Sequence, residues 1–124
     1  MTKKPFGVNI VLDDSNKDDI VEIVCREKVS FVTMGAGNPY IDMIHGAGVK
    51  VIPVIPNVRL AKRVENAGAD AIVIEGMESG GHIGTLTTMA LLTNVIPEVK
   101  LPVIAAGGIV DGRGMAAAYT GSDN

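Results

Sequence analysis

Short apolar runs alternate with amphipathic stretches along most of this chain. Five apolar runs predict strands that are buried on both faces. The predicted strands cover residues 6–12, 29–34, 51–55, 71–75 and 102–106, and the third is broken by Pro53 and Pro56. Runs of this length, separated by helical patterns, are typical of parallel strands joined by crossover helices.

Between several of these runs, apolar residues recur at helical spacing and predict helices. Residues 17–28 predict the first helix, with Asp18 and Asp19 in its first turn, where the helix dipole favours acids. Asn38 and Pro39 predict the start of a second helix that ends at Gly46, and Asn57 predicts the cap of a third. Residues 114–119 begin another. The predicted core positions of these helices are Ile20, Val21, Val24, Ile41, Ile44, Leu60, Ala61 and Val64.

A weak internal repeat supports this alternation, because residues 47–52 and 67–72 read alike. The longest interval between strands follows the fourth strand, so the loop there is expanded at the strand's carboxyl end, where barrel enzymes keep their sites. Consecutive units without a reversal favour an α/β fold of the TIM (β/α)8 barrel type over a doubly wound sheet. We expect residues 1–124 to form a single domain, the central part of such a barrel with about five β/α units, and residues 119–124 to be an atypical tail.

The composition of the chain argues against several classes of function. A formal net charge of -3 and a pI near 5.2 argue against a nucleic-acid binder. No apolar run reaches the roughly 18 residues of a membrane span and no signal-type segment follows Met1, so we expect a cytoplasmic protein without a membrane partner. The single cysteine, Cys25, excludes an internal disulfide and is expected to pack in the core. No spacing of side chains predicts a metal site.

The loop after the fourth predicted strand is the first candidate for chemistry. It contains His82 among Gly76, Gly80, Gly81 and Gly84. Glycines let backbone N–H groups approach a ligand closely, and a histidine can transfer a proton near neutral pH. His82 is therefore the candidate catalytic residue; the alternative is a loop histidine bonded to the backbone.

Three further features are candidates for ligand binding. Gly107 and Gly108 follow the fifth strand and can present backbone N–H groups to a phosphate, or they serve only a tight turn. Glu75 ends the fourth strand at the same edge, as a ligand or a solvated acid. Asn9 is an amide within an apolar strand, and its partner is a ligand or a neighbouring strand. His45 is interpreted as a helix C-terminal residue that complements the dipole.

At these residues the chain resembles a known family. The matching segments are PFGVNIVL, TMGAGNP, KVIPVIPNVRLAKRVENAGADAIVIEGMESGGHIGTLTTM and PVIAAGGIVDGRG. They resemble the FMN-dependent enoyl-acyl carrier protein reductase II family (FabK), within the group of nitronate monooxygenases, formerly called 2-nitropropane dioxygenases. The resemblance implies a TIM barrel with FMN at its top face, and it implies that two earlier strands and an eighth strand lie outside this chain.

The resemblance also implies residue roles. Asn9 and Glu75 match positions near the flavin and its ribityl chain, Gly80 and Gly81 match the backbone beside the isoalloxazine, and His82 matches the active-site histidine. Gly107 and Gly108 match half of the phosphate cradle. The residues named for FMN are thus Asn9, Glu75, Gly80, Gly81, Gly107 and Gly108.

Three functions remain open at this point. The first is reduction of the 2,3 double bond of enoyl-acyl carrier protein in fatty acid synthesis, with NAD(P)H as donor and FMN as carrier. The second is FMN-dependent oxidation of alkyl nitronates, a small-molecule substrate. The third is an inactive fragment whose unpaired strand edges lead it to form a homo-oligomer or to pair with complementing chain segments.

Overall fold

Five parallel strands form one sheet whose spatial order follows the chain. The structure, a computed structural model, describes residues 3–35, 40–81 and 83–120. The strands are β1 Gly7–Ile10, β2 Phe31–Gly35, β3 Lys50–Ile55, β4 Ile72–Glu75 and β5 Val103–Ala106. Each strand pairs in parallel with the next one in sequence. All five carboxyl ends therefore lie along one edge of the sheet.

Helices follow each of the strands. They are α1 Lys17–Glu27, α2 Ile41–Gly46, α3 Val58–Asn66, α4 Thr88–Val95 and α5 Gly112–Thr120, and a short 3-10 turn, Ile96–Glu98, extends α4. The sequence pattern did not predict α4, which begins inside the segment interpreted as the expanded loop. The predicted cap at Asn38 and Pro39 lies outside the described residues.

Local signals correctly predicted the start of α1 at residue 17, the end of α2 at Gly46 and the cap of α3, whereas α5 begins two residues before the predicted residue 114. The Asn57 side chain caps α3 by accepting a hydrogen bond of 2.9 Å from the backbone N–H of Leu60. The two similar joints also share one geometry, since Gly48 and Gly68 both have positive φ and both donate to the carbonyl three residues earlier. The internal repeat is therefore a repeat of structure as well as of sequence.

Successive side chains along each strand point to opposite faces of the sheet, so that each strand has two sets of side chains. In β4, Ile72 and Ile74 are fully buried, whereas Val73 and Glu75 are only half-buried. The buried set packs against helices α1 to α4 in one hydrophobic core. The opposite sheet face leaves apolar side chains open, since Phe31 is 36% and Ile104 47% exposed. In a (β/α)8 barrel this face is the interior, so the exposure agrees with a sheet that supplies part of a barrel.

The predicted break at Pro53 is wrong, because β3 runs without interruption from Lys50 to Ile55. Proline has no N–H to donate, and the register between β3 and β4 begins only at Val54, immediately after it. Before that point Asp70 supplies the acceptor: its carboxylate takes the N–H of Val51 at 2.8 Å. The regular pairing of β3 with β4 thus begins after the proline, and the Asp70 carboxylate accepts the N–H of Val51 before it.

Asp70 also joins α2 to the sheet. Its Oδ2 atom lies 2.8 Å from Nε2 of His45, in the last turn of α2, where His45 was predicted to complement the dipole. Burial opposes ionisation of Asp70, but the Val51 N–H together with His45 and Lys50 outweighs burial and lowers the pKa of Asp70. The carboxylate therefore stabilises the fold when it is charged.

We expect Asp70→Ala to lower the free energy of unfolding by about 1 kcal/mol at neutral pH, because the Val51 N–H loses its acceptor. A lowered pKa in the folded chain gives stability that is full above the unfolded-state pKa of about 3.9 and is lost as the pH falls through the folded value. Urea titrations between pH 7 and pH 3 measure both effects. Glu22→Ala is the control, because Glu22 is exposed and its carboxylate makes no hydrogen bond or ion pair within the described part of the chain. An equal loss in both variants would contradict the prediction.

The architecture confirms the predicted fold class, five consecutive β/α units of a (β/α)8 barrel. A doubly wound sheet would show a reversal in strand order, and none occurs among these strands. Within the described ranges no helix is both long and apolar enough to cross a membrane.

Candidate functional site

A cavity of about 740 Å³ opens at the edge where the strands end. Carboxyl ends of parallel strands are where barrel enzymes place their sites, and the volume is in the usual range for small-molecule pockets. Four predicted site residues, from three parts of the chain, line this one cavity. The described lining consists of Asn9, Ile10, Val11, Leu12, Asp13, Gly35, Val54, Ile55, Pro56, Glu75, Gly80, Gly81 and Gly84.

Asn9 has a protein partner and an unused donor. Its Oδ1 accepts a hydrogen bond of 2.8 Å from the hydroxyl of Thr33, its register partner on β2. Of the two partners expected for Asn9, a ligand or a neighbouring strand, the neighbouring strand therefore supplies one. Its amide nitrogen makes no hydrogen bond within the described part of the chain, and Asn9 lines the cavity. The amide can thus donate to a bound molecule without giving up its place in the sheet.

Glu75 is the last residue of β4 and is half-buried at the cavity wall. Among the described residues it has no side-chain hydrogen bond or ion pair. The described lining contains a second carboxylate, Asp13, and no basic side chain. Such a wall suits the hydroxyl groups and neutral rings of a ligand, because carboxylates accept hydrogen bonds and repel phosphate.

Gly80 and Gly81 lie on the cavity wall with open space beside them. A Cβ atom built at either position would have no heavy atom of the described residues within 4 Å, apart from its chain neighbours. Packing within the protein therefore does not explain the glycine at position 80. A ligand that approaches the backbone closely would explain it, and so the cavity fits a flat group held against this segment.

Gly107 and Gly108 follow β5 and do not line the cavity. Both have positive φ, and a Cβ at Gly107 would lie 2.6 Å from Oγ of Ser79 and 2.8 Å from Oγ1 of Thr88. The tight turn and its close packing are enough to require glycine here. Binding of a phosphate by their N–H groups remains a prediction.

Sequence reasoning missed Thr88 and Glu78, which connect the two glycine loops. Thr88 is only 4% exposed, and its backbone N–H donates to Oε2 of Glu78 at 2.9 Å. That hydrogen bond is the largest cause of a lowered pKa at Glu78. The available signal was the pair Thr87–Thr88 before an apolar run, a typical helix start. Thr87 is in fact the cap of α4.

His82 lies outside the described residues, so its role stays a prediction. Its neighbours on the chain, Gly81 and Gly84, both line the cavity. The described ranges contain no group of three or more His, Cys, Asp or Glu side chains arranged to hold a metal ion.

Comparisons with known proteins agree with this geometry. FabK from Thermotoga maritima is 56% identical, with a TM-score of 0.93 over 99% of this chain and 40% of that chain. A curated (3aS,4S,5R,7aS)-5-hydroxy-7a-methyl-1-oxo-octahydro-1H-indene-4-carboxyl-CoA dehydrogenase from Rhodococcus jostii (strain RHA1) is 43% identical over 120 residues, 95% of this chain and 34% of its own length. A nitronate monooxygenase from Paraburkholderia phytofirmans (strain DSM 17436 / LMG 22146 / PsJN) is 40% identical over 111 residues, 80% of this chain and 30% of its own length.

The chain spans about a third of the length of these curated relatives and about two-fifths of the solved FabK chain. The family model for nitronate monooxygenase matches residues 1–122. A strand-end cavity with a glycine wall, relatives of this identity and a match over nearly the whole chain lead to one conclusion. The chain belongs to the nitronate monooxygenase family.

Proposed function

We propose that the intact protein is an FMN-dependent oxidoreductase that reduces the 2,3 double bond of an enoyl thioester on acyl carrier protein, with NAD(P)H as electron donor. The observation that carries this proposal is that Asn9, Glu75, Gly80 and Gly81 line the same cavity at the strand ends. It is supported by 56% identity to FabK. The bound FMN would supply the redox chemistry, and the protein would supply binding and orientation.

The residues of the chain divide this work. Asn9 donates an N–H to the ligand from the wall of β1, and Glu75 accepts hydroxyl hydrogens of a ribityl chain. Gly80 and Gly81 leave space for a flat ring against the backbone. Backbone N–H groups of Gly107 and Gly108, which lie outside the cavity lining, would hold the phosphate of FMN. His82 donates a proton to the substrate α-carbon or polarises the thioester carbonyl.

A thioester substrate has support from a second relative. The Rhodococcus jostii protein is named as a dehydrogenase of a carboxyl-CoA compound, which is also an acyl thioester. FabK and this dehydrogenase are 56% and 43% identical to the chain, compared with 40% for the Paraburkholderia phytofirmans nitronate monooxygenase. We therefore place acyl thioesters ahead of nitronates as the substrate class.

The second candidate is oxidation of alkyl nitronates by oxygen, with His82 as base or anion stabiliser. It is favoured by the family model and by the Paraburkholderia phytofirmans relative at 40% identity. The two candidates share the cofactor and differ in the oxidant and the substrate. NADH consumption with a crotonyl thioester, compared with nitronate-dependent oxygen uptake, separates them.

We expect the purified protein to bind FMN, with the visible absorbance of a bound flavin, and Gly80→Val to weaken FMN binding by about 10-fold or more. The valine side chain would occupy the open space beside the Gly80 backbone. One lost close contact of this kind corresponds to about 1.4 kcal/mol. Fluorescence titration with FMN measures the affinity. Gly112→Val, which lies outside the cavity and also faces open space, is the matched control.

A protein that binds no FMN would refute the proposal, and so would equal affinity in wild type and Gly80→Val. A monomer with the visible absorbance of bound flavin would contradict the third possibility, an inactive fragment whose unpaired strand edges lead it to associate.

A further inference from the structure

Two glycine loops at the carboxyl edge meet at one buried residue, Thr88. The first loop follows β4 and includes Gly76 to Gly84; the second is the turn of Gly107 and Gly108 after β5. Thr88 opens α4 and donates from both its backbone and its side chain. We call Thr88, the Glu78 carboxylate and the Gly107 carbonyl the Thr88 junction.

The hydrogen atoms of Thr88 can be assigned by counting. Its backbone N–H donates to Oε2 of Glu78 at 2.9 Å. Its hydroxyl has a single hydrogen, and the three oxygens within reach are those of Gly107 at 2.8 Å, Glu78 at 3.1 Å and Ala106 at 3.2 Å. Two of the three, Ala106 and Gly107, lie at the end of β5 and in the turn after it, and the Gly107 carbonyl is the nearest, so we assign the hydroxyl hydrogen to it. One residue therefore bonds to the loop after β4 and to the turn after β5.

The surroundings leave this residue no alternative position. Thr88 is 4% exposed, and a Cβ atom at Gly76 would lie 2.1 Å from its Oγ1. A Cβ at Gly107 would lie 2.8 Å from the same atom. Glycine at both positions lets the two backbones close around the hydroxyl. Packing and hydrogen bonding thus specify the same placement.

We infer that Thr88 is a positioning residue: it ties the loop after β4 to the turn after β5 and so sets the spacing between the two parts of the flavin site. This inference rests on the proposed function, in which Gly80 and Gly81 contact the flavin ring and Gly107 and Gly108 contact the phosphate. A flavin has fixed dimensions, so its affinity depends on that spacing. Thr88 does not line the cavity and acts only through the residues it holds.

The first test needs no flavin. Thr88→Val keeps the side-chain shape and removes the hydroxyl donor, whereas Thr88→Ser keeps the donor. The amides of Gly76, Met77 and Ser79 are protected by hydrogen bonds to Ala106, Leu86 and Gly76. We expect their hydrogen exchange to be about 10-fold faster in Thr88→Val, close to wild type in Thr88→Ser, and unchanged in α1 for both variants.

The second test is FMN affinity, with the visible spectrum of the bound flavin as a further readout. We expect Thr88→Val to weaken binding about 10-fold and to shift the flavin bands, and Thr88→Ser to restore both. If Thr88→Val does not fold, Glu78→Ala replaces it, because Glu78 is exposed and its removal frees the Thr88 N–H.

The outcomes separate this inference from the proposed function. Unchanged exchange in Thr88→Val overturns the Thr88 junction, whatever the flavin data show. Faster exchange with unchanged FMN affinity overturns the positioning role while the proposed function stands. If the wild-type protein binds no FMN, the proposed function and the positioning role fail together, and the exchange data still decide whether the junction holds the loops.

Discussion

Replacing His82 with alanine is expected to lower enoyl thioester turnover by about 10²- to 10⁴-fold, the usual contribution of a positioned acid or base. FMN should stay bound, because the residues assigned to the cofactor are Asn9, Glu75 and the glycines of the two loops. The expected loss is therefore in kcat at full flavin occupancy. Steady-state kinetics on protein whose flavin content is measured by absorbance provide the test.

His45→Gln is the matched control for this experiment. His45 is the other histidine of the chain and lies in the last turn of α2 beside Asp70, away from the cavity lining. We expect its turnover to equal that of the wild type. Normal turnover in His82→Ala would remove His82 from catalysis, and an equal loss in both variants would point to a general effect on the fold.

Gly76→Ala is expected to lower the free energy of unfolding by about 3 kcal/mol, at the upper end of the usual cost of overpacking. The added Cβ would lie 2.1 Å from Oγ1, 2.4 Å from the backbone nitrogen and 2.6 Å from Cα of Thr88. Two of these atoms belong to the backbone at the start of α4, so they cannot move aside as a flexible side chain can. Urea denaturation followed by circular dichroism measures the change.

Gly80→Ala is the control for Gly76→Ala, since the two glycines belong to the same loop. In the part of the chain that the structure describes, a Cβ at Gly80 meets no heavy atom within 4 Å beyond its chain neighbours, and we expect the unfolding midpoint of Gly80→Ala to match the wild type. Equal midpoints for the two variants would show that the loop relaxes around a methyl group. That result would contradict the prediction that Gly76 is too tightly packed to accept a Cβ atom.

The same physical argument allowed the sequence to predict the strands and to predict that site residues from different strands lie close together. Apolar runs of strand length indicate buried strands, and parallel strands place their carboxyl ends at one edge. Asn9 near the end of β1 and Glu75 at the end of β4 therefore had to lie near each other, and both line the cavity. Single-residue caps such as Asn57 were also readable, because the cap bonds within its own helix.

The features that escaped prediction depend on contacts between distant segments. The residues next to Thr88 in the sequence give no sign of its hydrogen bonds. Its partners, Glu78 and Gly107, lie 10 and 19 residues away along the chain, and folding brings them beside it. Pro53 is a strand breaker by local rules, but β3 runs through it, and its pairing with β4 begins at Val54, just after the proline. The glycine pair after β5 could be interpreted in two ways, because local sequence does not reveal that Ser79 and Thr88 pack against it.

The alternation of buried and half-buried side chains along β4 has a consequence for substitutions in this strand. Ile72 and Ile74 face the helices and are fully buried, whereas Val73 and Glu75 face the other way. Adjacent residues of β4 are thus physically separated, since Ile74 packs in the core and Glu75 lines the cavity. A substitution at Glu75 can therefore change the cavity wall and leave the core packing of the sheet as it is.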